Sequence, residues 1–168
     1  VATLLHAFGA TVLAYDPYAD PGRAARLGVE LVSLPALLDR ATIISLHARL
    51  TEETRQLIGA DELRRVREGT YLVNTARGEL IDEDALADAP DAGRLSGAAL
   101  DVFHPEPPAA GSRLRSRSNV ILSSHLAGSS RQVALEAATR ISTVVAGFLA
   151  TGRLEHCANP AVFAERPL

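Results

Sequence analysis

Several short apolar runs in this chain are each followed by a residue that can do chemistry. Asp16 follows the run at 11–15, His47 the run at 42–46, and Thr75-Ala76-Arg77-Gly78 the run at 70–74. Asp101 stands in the run at 97–102, and His125 follows the run at 120–123. An imidazole beside a carboxylate is a general acid/base pair, because the anion favours the imidazolium and raises its pKa. Glu106, in Asp101-Val102-Phe103-His104-Pro105-Glu106-Pro107-Pro108, is the candidate partner for His125. Spacing does not bring them together, and the alternatives are a solvated loop acid and a histidine opening a helix before Ser129-Ser130. Arg77 offers a bidentate clamp for a carboxylate, with Gly78 letting the backbone turn sharply behind it. The plainer reading pairs Arg77 with Glu79 or Asp82 at the next helix start.

These residues matter only if one scaffold gathers them. The apolar runs, with a further one at 29–32, have strand length and are apolar throughout, so they read as strands buried on both faces. Helical patterns separate them at 21–27, 34–40, 60–67 and 82–89, and a long one runs from 130 to 150. The opening stretch repeats Val1, Leu4, Leu5 and Phe8 at helical spacing and stops at Gly9. Strands alternating with helices predict a doubly wound parallel α/β sheet of the Rossmann type. In such sheets ligands collect at the carboxyl ends of the strands, which is where these polar residues fall. There an acid such as Asp16 accepts hydrogen bonds from both ribose hydroxyls and repels a 2′-phosphate, favouring NAD over NADP. Asp16-Pro17 is equally an Asx-Pro turn. The glycine fingerprint should lie some 20 residues before the acid; Val1 is nearer than that, and no Gly-x-Gly occurs in the chain.

Composition bounds the rest. The 168 residues suffice for one compact domain, and with 47% apolar and 22% charged residues the chain is not disordered. Lys+Arg 17 against Asp+Glu 20 gives a net charge of −3, which with 4% aromatics argues against a nucleic-acid surface. A lone Cys157 excludes an internal disulfide, and no Cys/His spacing suits a metal. No continuous apolar run approaches the roughly 20 residues of a membrane span. His6, His104 and His156 read as surface or packing residues without converging partners, and Cys157 as a bystander. The loop at 103–119, with Pro105, Pro107 and Pro108, reads as too polar to be core. Its Arg113, Arg115 and Arg117 make either a phosphate-attracting edge or a solvated loop. Methionine is absent. The expectation is a portion of a longer chain that opens inside the first helix of a Rossmann unit, just past the phosphate loop. The strand lost with that loop would sit between those at 11–15 and 42–46, leaving two unpaired edges or forcing them together.

Taken together, Tyr15-Asp16-Pro17-Tyr18, Leu46-His47-Ala48-Arg49-Leu50-Thr51 with Glu53-Thr54-Arg55, Leu57-Ile58-Gly59, Val73-Asn74-Thr75-Ala76-Arg77-Gly78, Leu100-Asp101-Val102-Phe103 with Glu106-Pro107, and His125-Leu126-Ala127-Gly128 resemble the D-isomer-specific 2-hydroxyacid dehydrogenases. The D-3-phosphoglycerate and D-lactate dehydrogenases belong to that family. The resemblance runs in order from Val1 to about Pro160, and Asn159-Pro160-Ala161-Val162 resembles the family's tail. It implies NAD as cofactor and hydride transfer between a small D-2-hydroxy acid and its 2-oxo acid. It implies that Arg77 holds the substrate carboxylate, that His125 is the acid/base, and that Glu106 orients it. It further implies that Asp101 meets the nicotinamide carboxamide and Asp16 the adenosine ribose. His47, Ala48, Thr75, Ala76 and the turn His125, Leu126, Ala127, Gly128 would line the cofactor.

Three departures stand against it: Arg49 where the family has proline, the basic loop at 109–118, and the absent glycine loop and N-terminal substrate domain. Residues 1–130 are therefore expected to form a partial NAD-binding domain, and 131–168 a helix and tail returning to that substrate domain. A cytoplasmic homodimer is expected, without nucleic-acid or membrane partners and inactive as this segment alone. The alternatives are an NAD-sensing, co-repressor-like binding module, which intact Arg77, Glu106 and His125 count against, and an inactive truncated fragment.

Overall fold

The structure, a computed structural model, describes residues 1–89, 93–153 and 159. His156, Cys157 and all of the Asn159-Pro160-Ala161-Val162 motif except Asn159 lie outside the described residues. Two compact units divide the chain, Val1–His125 and Leu126–Leu168.

In the first unit the elements run α1 (Ala2–Ala7), β1 (Leu13–Ala14), α2 (Pro21–Arg26), β2 (Glu30–Leu31), α3 (Leu34–Arg40) and β3 (Ile43–Leu46). They continue through α4 (Ala60–Arg65), β4 (Thr70–Asn74), α5 (Glu83–Asp88), β5 (Leu95–Leu100) and β6 (Val120–Leu122). The helix starts follow from local chemistry. Asp20, Ser33 and Asp82 each accept a hydrogen bond from a backbone N–H three residues on, and proline occupies the first turn of α2 and α3. In α4 the Glu62 carboxylate reaches back to the Gly59 N–H at 3.1 Å.

Strands β3, β4, β5 and β6 form one sheet in that order, every neighbouring pair parallel. Parallel strands end at a common rim, so the residues after β3, β4, β5 and β6 are brought to one edge by topology alone. Strands β1 and β2 pair with each other in a separate two-stranded parallel sheet. Of the two outcomes expected for β1 and β3, direct pairing does not occur. Ile43 on β3 is left 65% exposed.

The core lies between the four-stranded sheet and its helices. Leu72 on β4, Leu38 on α3, Leu63 on α4 and Leu86 on α5 meet there, joined by Ile58 and Leu80 from the connecting loops. Burying each such side chain stabilises the fold by about 1.5–3 kcal/mol. The loop at 103–119 departs from expectation. Phe103 and Leu114 are both buried in this core, Leu114 carried on a short 3-10 turn at Arg113–Ser116. Arg113 pairs with Asp88, and Arg115 donates to the carbonyls of Pro108 and Ala109. The loop is a packed strap, and those two arginines fasten it.

The second unit is built on α6 (Arg131–Thr151), opened by the Ser130 hydroxyl accepting from the Val133 N–H and closed by Gly152 at φ 68°. By length and composition alone, α6 is long and apolar enough to cross a membrane. Glu136 and Arg140 interrupt it, so no continuous apolar run is visible.

Candidate active site

At the end of β4 the chain makes a turn that Asn74 builds from inside. Fully buried, its side chain donates to the Arg77 carbonyl at 2.8 Å and accepts from the Ala76 N–H at 3.0 Å. Asn74 thus finds a partner for both ends of its buried amide while fixing the backbone that presents Arg77. The Arg77 side chain is exposed and donates to the Ala76 carbonyl at 2.6 Å. It does not pair with Glu79 or Asp82: Glu79 faces His104 at 3.3 Å, and Asp82 caps α5. Most of the guanidinium's fork stays available for an anion.

Behind Arg77 sits Gly78, and its role differs from the expected one. The residue opens a 3-10 turn at Gly78–Leu80 without a left-handed φ. What glycine supplies is space, because a Cβ there would fall 2.5 Å from the Phe103 carbonyl oxygen. The Arg77 turn and the segment after β5 are therefore in backbone contact.

That segment carries Glu106. One carboxylate oxygen accepts the Phe103 N–H at 2.9 Å, and the other meets His125 Nδ1 at 2.8 Å. The His125 hydrogen bond first, then the Phe103 N–H, hold the Glu106 carboxyl below the usual carboxylate range, and the Arg77 charge adds to the effect. Arg77, Glu106 and His125 thus form one electrostatic group. His125 itself has φ 56°, an unusual conformation for a residue with a side chain, and its N–H is tied to the Asp101 carbonyl at 2.8 Å. Asp101 is buried, accepts the Ser123 hydroxyl at 2.6 Å, and donates its own N–H to the Asn74 carbonyl.

Of the remaining predicted residues, His47, Ala48, Thr75 and Ala76 follow strands of the same four-stranded sheet. His47 follows β3, exposed, with its Nε2 3.0 Å from the Ser45 hydroxyl, and Ala48 packs against the core. Thr75 is exposed and Ala76 half-buried. Asp16 stands beyond β1, in the other sheet, and accepts the Tyr18 N–H at 2.9 Å. The Asx turn is therefore real, and it occupies Oδ1 of an exposed carboxylate. Tyr18 in turn donates its hydroxyl to Glu53 at 3.0 Å, linking the turn after β1 to the loop after β3. Leu126, Ala127 and Gly128 begin the second unit.

Sequence reasoning gave no role to Asn74, Ser123 or Ser45, whose signal was only a polar residue at a strand end. It also left His104 without partners, whereas the ring faces Glu79 and the N–H donates to Glu83 at 2.8 Å. A cavity of about 380 Å³ lies on that side, lined by Arg55, Glu79, Glu83, His104 and Arg113 among others. Arg77, Glu106 and His125 are not in its wall.

A parallel α/β sheet whose C-terminal rim gathers a guanidinium, a buried acid and a carboxylate-held imidazole defines a Rossmann-type nucleotide-binding domain. Residues 1–127 match the family "D-isomer specific 2-hydroxyacid dehydrogenase, NAD binding domain", and the chain belongs to that family. It is 46% identical over 145 residues to a D-3-phosphoglycerate dehydrogenase of Mycobacterium bovis, covering 86% of this chain and 27% of that protein. It is 42% identical over 149 residues to D-3-phosphoglycerate dehydrogenase 2, chloroplastic, of Arabidopsis thaliana, covering 89% of this chain and 24% of that one. Among solved structures, D-lactate dehydrogenase from Aquifex aeolicus, complexed with NAD and lactic acid, superposes with a TM-score of 0.75 at 32% identity. That match covers 89% of this chain and 49% of the other. The chain spans about a quarter of the length of these curated relatives and about half of the solved chain.

Proposed function

We propose that this chain serves the NAD-dependent interconversion of a small D-2-hydroxy acid and its 2-oxo acid. The observation that carries the reading is the 2.8 Å contact between Glu106 and His125 Nδ1, within reach of the Arg77 charge. With Nδ1 donating to the carboxylate, the neutral ring keeps the lone pair of Nε2 free to accept a proton. His125 then takes the hydroxyl proton of a 2-hydroxy acid and returns it in the reverse direction. Glu106 keeps the ring oriented and offsets the positive charge it gains. Arg77 holds the substrate carboxylate through paired N–H donors, which orients C2.

The donor set suits a dinucleotide at both ends. Asp16 has one carboxylate oxygen outside its turn for ribose hydroxyls, and Asp101 is a fixed, buried acid on the rim. NAD, when bound, supplies the hydride acceptor for the carbinol carbon. A homodimer in the cytoplasm is part of the same proposal.

The test uses the protein as produced from its own gene, mixed with NADH and a panel of 2-oxo acids. Consumption of NADH, reduced at least ~100-fold by His125→Asn, is the expected result. Binding of NADH without consumption on every acid would overturn the oxidoreductase reading and leave a cofactor-binding module.

A further inference from the structure

Two consecutive amides in the segment after β5 are each held by a carboxylate. The Phe103 N–H donates to Glu106 at 2.9 Å, and the His104 N–H donates to Glu83 at 2.8 Å. Glu106 belongs to the same turn, so its bond closes the turn but cannot fix it to the scaffold. Glu83 comes from outside. It opens α5 at a position set by the Asp82 cap behind it and by Leu86 and Ala87, buried one turn further on. The Phe103 backbone also rests against Gly78. The turn carrying Glu106 is thus gripped between the Arg77–Gly78 corner and the first turn of α5.

From this grip we infer that Glu83 is a positioning residue, whose bond to the His104 N–H sets where the Glu106 carboxylate meets His125. The inference rests on the proposed acid/base role of that pair. Glu83 makes no hydrogen bond to Arg77, Glu106 or His125, so it acts through the backbone. A charged acceptor makes a shorter and stronger hydrogen bond than a neutral one, which suits a clamp on a loop end. The arrangement carries a cost. Half-burial pushes the Glu83 carboxyl up, an effect that the His104 N–H partly offsets, while nearby Asp84 and Glu106 push the same way as burial.

The inference is tested on the full chain with two substitutions that separate reach from charge. Glu83→Asp keeps the charge and withdraws the carboxylate by one methylene; Glu83→Gln removes the charge and keeps an acceptor at the same reach. Aspartate is favourable in the first turn of a helix, so the fold is expected to survive, and Glu83→Ser serves as a second shortened variant. Titration of the Glu106 side-chain carboxyl, followed by carbon NMR, is the main readout, with exchange of the His104 amide beside it. The shortened variants should shift the Glu106 midpoint up toward that of an ordinary glutamate. Their His104 amide should exchange about tenfold faster, as befits a lost charge-assisted bond. Glu83→Gln should leave the Glu106 midpoint depressed. An unmoved Glu106 midpoint in both shortened variants, or an equal shift in Glu83→Gln, overturns the inference. Neither readout needs turnover, so failure of the Glu83 grip and failure of the functional reading are read by separate measurements and told apart.

Discussion

Phe103 occupies the space that a side chain on Gly78 would need. A Cβ at Gly78 would lie 2.5 Å from the Phe103 carbonyl oxygen and 2.6 Å from its Cα, and both obstacles are backbone. Neither can rotate away, so Gly78→Ala must push the Arg77 turn and the Glu106 segment apart. Overpacking of this kind costs about 1–3 kcal/mol. Melting of the Gly78→Ala chain should register that loss, and the Glu106 titration should move upward as its geometry with His125 degrades.

The pH dependence of stability separates two carboxylates with opposite signs. Glu106 is depressed in the folded chain, chiefly by its bond to His125. Its contribution is therefore complete above the unfolded value of about 4.3 and is lost as pH falls through the lower folded value. Paired melts of the natural chain and Glu106→Gln should show an advantage for glutamate near neutrality that shrinks steadily in acid. An advantage that grew in acid would contradict the sign.

Glu83 runs the other way. Burial raises its folded pKa, so its contribution is complete below the unfolded value and is lost as pH rises through the folded one. Compared with the natural chain, Glu83→Gln should therefore gain relative stability as the pH increases from about 4 to about 7. Thermal melts across that range read the slope directly.

Most of the elements were legible in the sequence, because short apolar runs such as Ile43–Leu46 and Thr70–Asn74 have strand length. The expected burial on both faces does not hold: Ile43 is 65% and Tyr71 53% exposed, so successive residues alternate between the core and an uncovered face. The rim followed from parallel topology. What stayed hidden depended on side chains far apart along the chain. The pairing of Glu106 with His125 spans a strand and a strap, and no period connects them. Leu114 sits alone among arginines and serines, so nothing in its surroundings marks it as core. Gly78 carries the wrong signature, since a glycine needed for close approach looks the same in sequence as one needed for a turn.

Core and site are joined through Leu80. The side chain is fully buried in the turn that follows Arg77, and its N–H bonds the Arg77 carbonyl at 3.3 Å. Leu80→Ala should cost about 2–5 kcal/mol, the range for a leucine cavity in a packed core. Denaturant unfolding measures the loss. A value within the range of surface substitutions, about ±0.5 kcal/mol, would show that the turn contributes little to the packed unit.

Asp16 allows the charge and the turn to be separated. Its Oδ1 accepts the Tyr18 N–H, so replacing the residue with alanine would disturb the turn along with any ligand contact. Asn keeps an oxygen for the Tyr18 N–H, tolerates the same Asx geometry, and removes the negative charge. Under the proposed function, that charge is what repels a 2′-phosphate. Asp16→Asn should therefore narrow the preference for NADH over NADPH by roughly tenfold, the scale of one screened charge contact near 1.4 kcal/mol. Tyr18 should stay in place, still bonded to Glu53 across the loops after β1 and β3. Titrating both reduced cofactors by fluorescence gives the ratio, and a melt that matches the natural chain shows that the turn has held. If the turn holds and the ratio does not move, Asp16 belongs to the turn alone and selectivity must come from another group on the rim.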